Sequence, residues 1–520
     1  MPEMPVTGRN LDENLETDVC IIGGGIAGLS CAHMALRDGL SVVLLEALDI
    51  AGGESARTSA HLASALDRRY TKVAATHGAD GARLAAQSHA AAIDRIEAIV
   101  AAEAIDCDFA RLDGYLFAPP DGSLDDLKDE ETAAREAGVD IDLIARAPMA
   151  DFDTGPCLRF RNQAHFDPTM YLAGLARAIV ARGGRLYADS RVEGVAGGAK
   201  PVVTLANRRC VTARAVIVTT NSPINDWVSI HLMQAAYRTY VVGGLVPRDT
   251  VAHALFWDTG DPFHYVNVVP ARVLARRGGD DRHDLLLVGG EDHRTGQASH
   301  PAERYDRLIA WTLARFPNAG VFDRRWSGQV LESVDGLGLI GADPEKQANV
   351  YIATGDSGNG LTHGTIAGML ITDLIAGRSN PWRDLYSPRR KPIGALGKFV
   401  EENAAMTMRY TDWLDGSEVH DVANIPPGSG AVIREGLKKR IAVYRRPDGT
   451  FVRRSAICPH LGCIVHWNGA ESSWDCPCHG SRFDAEGGLL NGPALTGLPE
   501  VAEPVAEVDP DPDLDPTPGR

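Results

Sequence analysis

Six residues near the end of the chain carry its clearest chemistry: Cys458, His460 and Cys463, and then, after an interval of twelve residues, Cys476, Cys478 and His479. Thiolates and neutral imidazoles are metal ligands, and two short loops that present them in close succession can hold a metal centre between them. A structural zinc is one such centre, because it accepts Cys and His in many mixtures, but it needs only four ligands. Six candidates exceed that need.

The order Cys-x-His followed by Cys-x-x-His resembles the ligand loops of the Rieske 2Fe-2S domain of the cytochrome bc type. The resemblance implies that Cys458 and Cys476 hold one iron, that His460 and His479 hold the other, and that Cys463 and Cys478 form a disulfide joining the loops. It also implies that the Ser481 hydroxyl bonds a cluster sulfur, which favours the reduced state and raises the potential. Phe483 stands where high-potential members carry a tyrosine, so one hydroxyl donor is missing and a moderately lowered potential is expected. Gly492-Pro493-Ala494 resembles the loop that covers the cluster. Segments 440–444 and 451–455, around Asp448-Gly449, read as a hairpin that feeds the first ligand loop from a small antiparallel sheet.

The elements that would supply such a centre with electrons lie at the other end of the chain. Residues 18–23 are a short apolar run typical of a buried parallel strand, leading into Gly23-Gly-Gly25-Ile-Ala-Gly28 and a helical segment, 29–37. A second strand, 41–46, follows the Asp38-Gly39 break. Gly23 permits the tight turn, Gly25 lets backbone approach a pyrophosphate, Gly28 lets the helix pack closely, and the helix N-terminus attracts phosphate. Glu46 closes the second strand, where a carboxylate can bond ribose hydroxyls. This unit predicts dinucleotide binding. Gly336-Leu-Gly338-Leu-Ile-Gly341 fits the same glycine pattern, but Ala342-Asp343-Pro344 follows where a helix should begin, so it is rejected as a second nucleotide site.

Further along, the chain resembles the D-amino-acid oxidase family of FAD-dependent oxidoreductases, from about residue 18 to 390. The resemblance rests on the loop Gly52-Gly53 to Ser59-Ala60-His61, on His165-Phe-Asp167-Pro168 with the helix 169–182 and strand 185–192, and on the strand 215–219 ending in Thr220-Asn221-Ser222-Pro223. Its clearest part is Thr354-Gly355-Asp356-Ser357-Gly358-Asn359-Gly360-Leu361-Thr362-His363-Gly364-Thr365 before a helix, 366–375. A glycine-rich turn joined to a helix N-terminus suits the negative charge that reduced flavin carries near its pyrimidine ring. The resemblance implies FAD held by Gly23, Gly25, Gly28, Glu46, Arg57, Thr58, Ser59, Asn221, Gly355, Gly358, Asn359, Gly360, Leu361 and Thr362. A covalent flavin link at His61 does not match the family's placement of such histidines.

The expected fold is an α/β FAD-binding Rossmann-like domain with an interleaved α+β substrate domain, plus a C-terminal all-β Rieske domain. The FAD-binding pieces are set at about 18–69, 161–236 and 326–382, and the substrate-domain pieces at about 70–160 and 237–325, after an N-terminal tail, 1–17. The first substrate piece is alanine-rich and helical over 72–104. The second has strand-like runs at 240–245, 265–269 and 285–289, suited to an antiparallel sheet over the flavin. Tyr265, His264 and Arg238 are candidate substrate contacts. A linker, 383–425, contains the basic run 387–392 and joins the Rieske domain, 426–499; an acidic tail, 500–520, expected to be disordered, follows.

Composition bounds the reading. The chain of 520 residues has room for about three domains. Its net charge of -17 opposes nonspecific nucleic-acid binding. No secretory signal or membrane-length apolar run is visible, and Cys20, Cys31, Cys107, Cys157 and Cys210 sit among apolar neighbours, so a cytoplasmic protein is expected. The expected function is oxidation of a small amine or amino acid by hydride transfer to FAD, with single electrons passed through the cluster to an external acceptor. The alternatives are a cluster-fed flavin reductase driven by a ferredoxin-like donor and a non-enzymatic redox sensor.

Overall fold

A computed structural model describes residues 4–224, 228–298, 300–345, 347–391, 393–414, 417–419, 421–435 and 439–501. From 502 onward the acidic tail lies outside the described residues, as does Pro392 of the basic run.

The dinucleotide-binding half is built on a nine-stranded sheet. Its path runs Gly8–Arg9, Arg185–Ala188, Val42–Leu45, Leu15–Ile22, Cys210–Val218, Val350–Thr354 and Leu339–Ala342, with Val192–Ala196 and Val202–Leu205 branching from Cys210–Val218. All pairs along the path are parallel except the last. Alternation decides what each face buries: Val19, Ile21, Val42 and Leu44 join the helix-covered core, whereas Cys20, Ile22, Val43 and Leu45 join a second core on the opposite face. Strands buried on both faces read as continuous apolar runs, which is why these two were legible.

Two helices bring their N-termini to one end of this sheet. Ile26–Arg37 and Gly360–Ile375 run side by side in the same direction, because Gly364 meets Ile26 and Gly368 meets Ser30. A Cβ on Gly364 would fall 2.8 Å from Ile26 Cγ2, and one on Gly368 2.9 Å from the Ser30 carbonyl carbon. The second helix begins six residues before the predicted start of 366, within the glycine-rich run itself.

The second layer is an eight-stranded sheet ordered Arg324–Ser333, Gln234–Pro247, His283–Arg294, His264–Val269, Leu255–Asp258, Ala110–Phe117, Cys157–His165 and Ile141–Ile144. It is antiparallel except where Leu255–Asp258 pairs with Ala110–Phe117. It draws residues from beyond the segments 70–160 and 237–325, since Cys157–His165, Gln234–Pro247 and Arg324–Ser333 each cross one of those bounds. The alanine-rich helix spans Tyr70–Ala102 and is broken at Gly78, whose φ is 75°.

The C-terminal domain has a three-stranded sheet, Ser429–Glu435, Lys439–Arg445 and Phe451–Ser455, and a four-stranded sheet, His466–Asn468, Ser473–Asp475, Arg482–Asp484 and Leu489–Asn491. Segment 383–425 is more than a spacer. It carries the helices Arg383–Tyr386 and Leu396–Met408, and its Arg390 turns inward. Arg390 pairs with buried Asp335 at 2.6 Å and 2.7 Å, while Glu402 meets Arg294 at 3.1 Å and Tyr237 at 3.0 Å. Among the described residues no helix is long and apolar enough to cross a membrane.

Candidate functional site

Glycine geometry shapes the dinucleotide turn. At Gly28 a Cβ would fall 1.9 Å from Gly23 O, and Gly23 itself has a φ of 107° with Thr219 O pressed against its side-chain position. Only glycine fits a turn this tight, and it leads into the N-terminus of Ile26–Arg37, where the Ile26 amide donates to Ser55 Oγ at 3.1 Å and phosphate would sit. Glu46 accepts from Gly24 N at 2.7 Å and Leu48 N at 2.9 Å. Burial holds its carboxyl above the usual range, and those two amides oppose the rise.

The other predicted FAD residues gather around the same end. Asn221 has a φ of 62°, and its carbonyl lies 2.5 Å from Thr354 Oγ1. Gly355 and Gly358 have φ of 68° and 83°, and a side chain on Gly358 would collide with Asp67. Asn359 accepts from Asp67 N at 3.2 Å and donates to Ala65 O at 3.3 Å, tying the 59–67 segment to the turn that starts Gly360–Ile375. Leu361 is buried, and Thr362 Oγ1 lies 2.7 Å from His89 Nδ1. Thr58 Oγ1 accepts from Ala60 N at 3.2 Å, and Ser59 Oγ lies 3.1 Å from His61 Nδ1. Arg57 donates to Ser327 O at 3.1 Å. Two helix N-termini, three left-handed turn residues and the Glu46 carboxylate just past the second strand fit an extended, anionic dinucleotide.

The eight-stranded sheet divides the substrate candidates by strand parity. Tyr265 and Asn267 face the flavin loop: the Tyr265 ring meets His61 edge-to-face at 5.3 Å, its hydroxyl lies 3.0 Å from Thr239 Oγ1, and Asn267 donates to Ser59 O at 2.8 Å. Gly289 makes this possible, since any Cβ there would overlap the Tyr265 ring. His264 points the other way. Its Nδ1 lies 3.1 Å from Asp258 and its ring stacks on Trp311 at 4.5 Å, beneath the helix Ala302–Leu313. Arg238 is also on that far face, fully buried and bonded to Ser327.

Asp292 and Asp67 lie beside Tyr265, and Asp356 lies near Asp67. Burial pushes Asp292 up to about 8, with Glu332 and Asp67 adding negative charge, and Asp292 Oδ1 has no hydrogen-bond partner. Asp356 is raised to about 7 by burial, with Glu54 adding to the rise. Burial lowers His61 to about 4, so it is neutral near pH 7. Carboxyl groups gathered in this way favour a cation over another carboxylate.

In the C-terminal domain the ligand candidates converge. The rings of His460 and His479 meet at 4.9 Å, and Nδ1 of His479 is buried with no hydrogen-bond partner. The Cys476 thiol beside Cys458 draws that thiol below its usual range. Cys463 and Cys478 form a disulfide with a Cα separation of 6.4 Å, joining the two loops. Ser481 Oγ accepts from Ala494 N at 3.0 Å, which seats the Gly492-Pro493-Ala494 loop on the cysteine core. Two adjacent thiols, two imidazoles and an orphaned ring nitrogen fit a 2Fe-2S cluster.

This domain docks on the flavin half through its ligand loops. Gly480 presses on Ala236 and Gln329, leaving no room for a side chain, and Gly296 abuts the backbone of Asp475 and Pro477. Asn491 donates to Glu54 Oε1 at 3.1 Å. Glu471 reaches Arg238 at 3.5 Å and Arg482 at 3.6 Å, and accepts from the Tyr305 hydroxyl at 3.1 Å. His231, at the end of Val228–His231, packs its ring 4.8 Å from His460 and 5.2 Å from His479. Neither Glu471 nor His231 stands in a motif, and only tertiary placement brings them to the interface.

Fold and sites together define a two-centre redox flavoprotein, with a dinucleotide-binding half and a cysteine–histidine cluster domain seated on it. The chain belongs to the FAD dependent oxidoreductase family, whose model matches residues 18–374, and it carries a Rieske [2Fe-2S] domain over residues 415–502. It is 30% identical over 507 residues to YhfW of Bacillus subtilis (strain 168), described as a Rieske 2Fe-2S iron-sulfur protein, a match covering 96% of each chain. It is 30% identical over 381 residues to gamma-glutamylputrescine oxidoreductase of Escherichia coli (strain K12), covering 71% of this chain and 85% of that relative. Among solved structures it resembles glycine oxidase from Geobacillus kaustophilus, with a TM-score of 0.60 and 19% identity over 73% of this chain and all of that one. The protein is an FAD-dependent oxidoreductase with a Rieske iron–sulfur centre, as its motifs implied.

Proposed function

We propose that the enzyme oxidises a small, cationic amine, with FAD taking hydride from the carbon beside the nitrogen and the cluster passing single electrons to an external one-electron acceptor. FAD supplies the hydride-accepting ring and the cluster the one-electron store. The residues of the chain bind, orient and deprotonate. The ring of Tyr265, fixed by Thr239 and His61, forms one wall for the substrate. When ionised, Asp292 accepts the ammonium proton at its unpartnered Oδ1, so that the nitrogen is neutral when hydride leaves.

The observation that carries this reading is the placement of Asp292 and Asp67 beside Tyr265, with Asp356 near Asp67 and Arg238 turned to the opposite face of the sheet. A relative named for gamma-glutamylputrescine supports the same substrate class. The buried, free thiols Cys20, Cys31, Cys107 and Cys157 support a reducing compartment such as the cytoplasm. The test is anaerobic flavin bleaching by a panel of diamines, monoamines and amino dicarboxylic acids. Cationic amines are expected to bleach the flavin, and a panel in which only dicarboxylic acids do so overturns the reading.

A further inference from the structure

The imidazole edge of the cluster domain meets a third imidazole that belongs to the flavin half. His231 is buried at 4% exposure, and its ring completes a triangle with His460 and His479, all three contacts being edge-to-face at 4.8 to 5.2 Å. Three residues further along the chain, Gln234 Oε1 lies 3.0 Å from Thr354 Oγ1, and it is the nearest atom to the side-chain position of Gly355. Thr354 leads directly into the glycine-rich turn assigned to the flavin. Segment 231–234 therefore touches the cluster's imidazoles at one end and the flavin turn at the other. Val334 N donates to Met233 O at 2.9 Å and holds the segment between them. On the cluster side, Gly480 is pressed against Ala236 in the same strand, so the contact is part of a close-packed joint.

We propose that His231 is a positioning residue for electron transfer: it docks the cluster's two-histidine edge onto the segment leading to the flavin turn, and makes the transfer intramolecular. The proposal rests on the reading that electrons pass from flavin to cluster. Each transfer would move one electron from the anionic reduced flavin to one ferric ion of the cluster, which would become ferrous, and over the two transfers the flavin would lose its single N5 proton to water. A one-electron carrier protein then empties the cluster, and a second transfer completes the flavin's reoxidation. While docked, the cluster has this edge covered by its own chain, so the carrier must approach elsewhere.

The experiment uses the full chain carrying FAD and cluster, in the parent, His231→Ala and His231→Phe. The flavin is reduced by light with EDTA as donor, which bypasses substrate, and the cluster's paramagnetic resonance signal is followed by rapid freezing at several protein concentrations. Cluster content and the g-values of the dithionite-reduced proteins are recorded alongside. The parent is expected to transfer at a rate independent of protein concentration. His231→Ala should slow transfer by roughly tenfold or more, because displacement of a positioned redox group is felt steeply, and should shift the g-values; His231→Phe, which keeps a ring in contact, should stay nearer the parent. Transfer at the parent rate with parent g-values in His231→Ala overturns the proposal, as does a parent rate that rises with protein concentration. If His231→Ala fails to hold its cluster, His231→Phe decides: a rate below that of the parent but with transfer retained supports the positioning role, and one equal to the parent with unchanged g-values overturns it. A parent whose reduced flavin never reduces the cluster refutes the underlying reading and this one with it.

Discussion

The carboxylate of Glu471, in the cluster domain, lies 3.5 Å from the guanidinium of Arg238, which is fully buried in the substrate sheet. Arg482 lies 3.6 Å from the same carboxylate and pairs with Asp475 at 2.9 Å. A buried network of this kind specifies one docking geometry, because each charge is costly away from its partners.

Removing Glu471 should therefore loosen the joint. Glu471→Ala leaves Arg238 buried without its closest carboxylate, and a stability loss of about 3 kcal/mol is expected. Differential scanning calorimetry should show the loss, with flavin and cluster contents unchanged. A stability equal to the parent's would mean that water or Asp475 compensates Arg238 fully.

A pH effect follows from Asp292. Burial raises its carboxyl from the ordinary value near 3.8 to about 8, so the folded state favours the protonated form. Its contribution to stability is complete below the unfolded value and is lost as pH climbs through about 8. Melting temperature should fall between about pH 4 and 8 in the parent and level off above it, and Asp292→Asn should flatten that fall. A diamine should stabilise the parent more above pH 8 than below it, because the ionised carboxylate then faces a cation.

Much of this was legible in the sequence, for stated reasons. Cluster ligands must be Cys and His on short loops, and a pyrophosphate turn must be glycine, so Cys458, His460, Gly23 and Gly28 declare themselves. Strand parity was less accessible. Arg238 and His264 were as plausible as Tyr265 until the register placed Thr239 and Tyr265 on one face and their neighbours on the other. Segment 383–425 read as a linker because its composition is polar and proline-bearing, yet Arg390 finds buried Asp335 and the buried Glu402 finds Arg294, both far off in the chain. His231 and Glu471 carry no local signal, since a joint between two domains is written in neither alone.

The disulfide should act on the cluster rather than on the flavin. Cys463 and Cys478 close a loop with a separation of 15 residues, for which a stabilisation of about 3 kcal/mol is expected. The double variant Cys463→Ser, Cys478→Ser should lose its cluster faster on dilution into chelator, as followed by visible absorbance. Its FAD content should equal that of the parent.

The most direct test of the account is a single-turnover experiment on the anaerobic holoenzyme. A stoichiometric amount of an amine that bleaches the flavin is added, and the reduced cluster is quantified by paramagnetic resonance. The account predicts that the flavin bleaches first and that the cluster signal then rises at a rate independent of protein concentration. A flavin that bleaches fully while the cluster stays oxidised would contradict it, as would a cluster that is reduced only by an added ferredoxin.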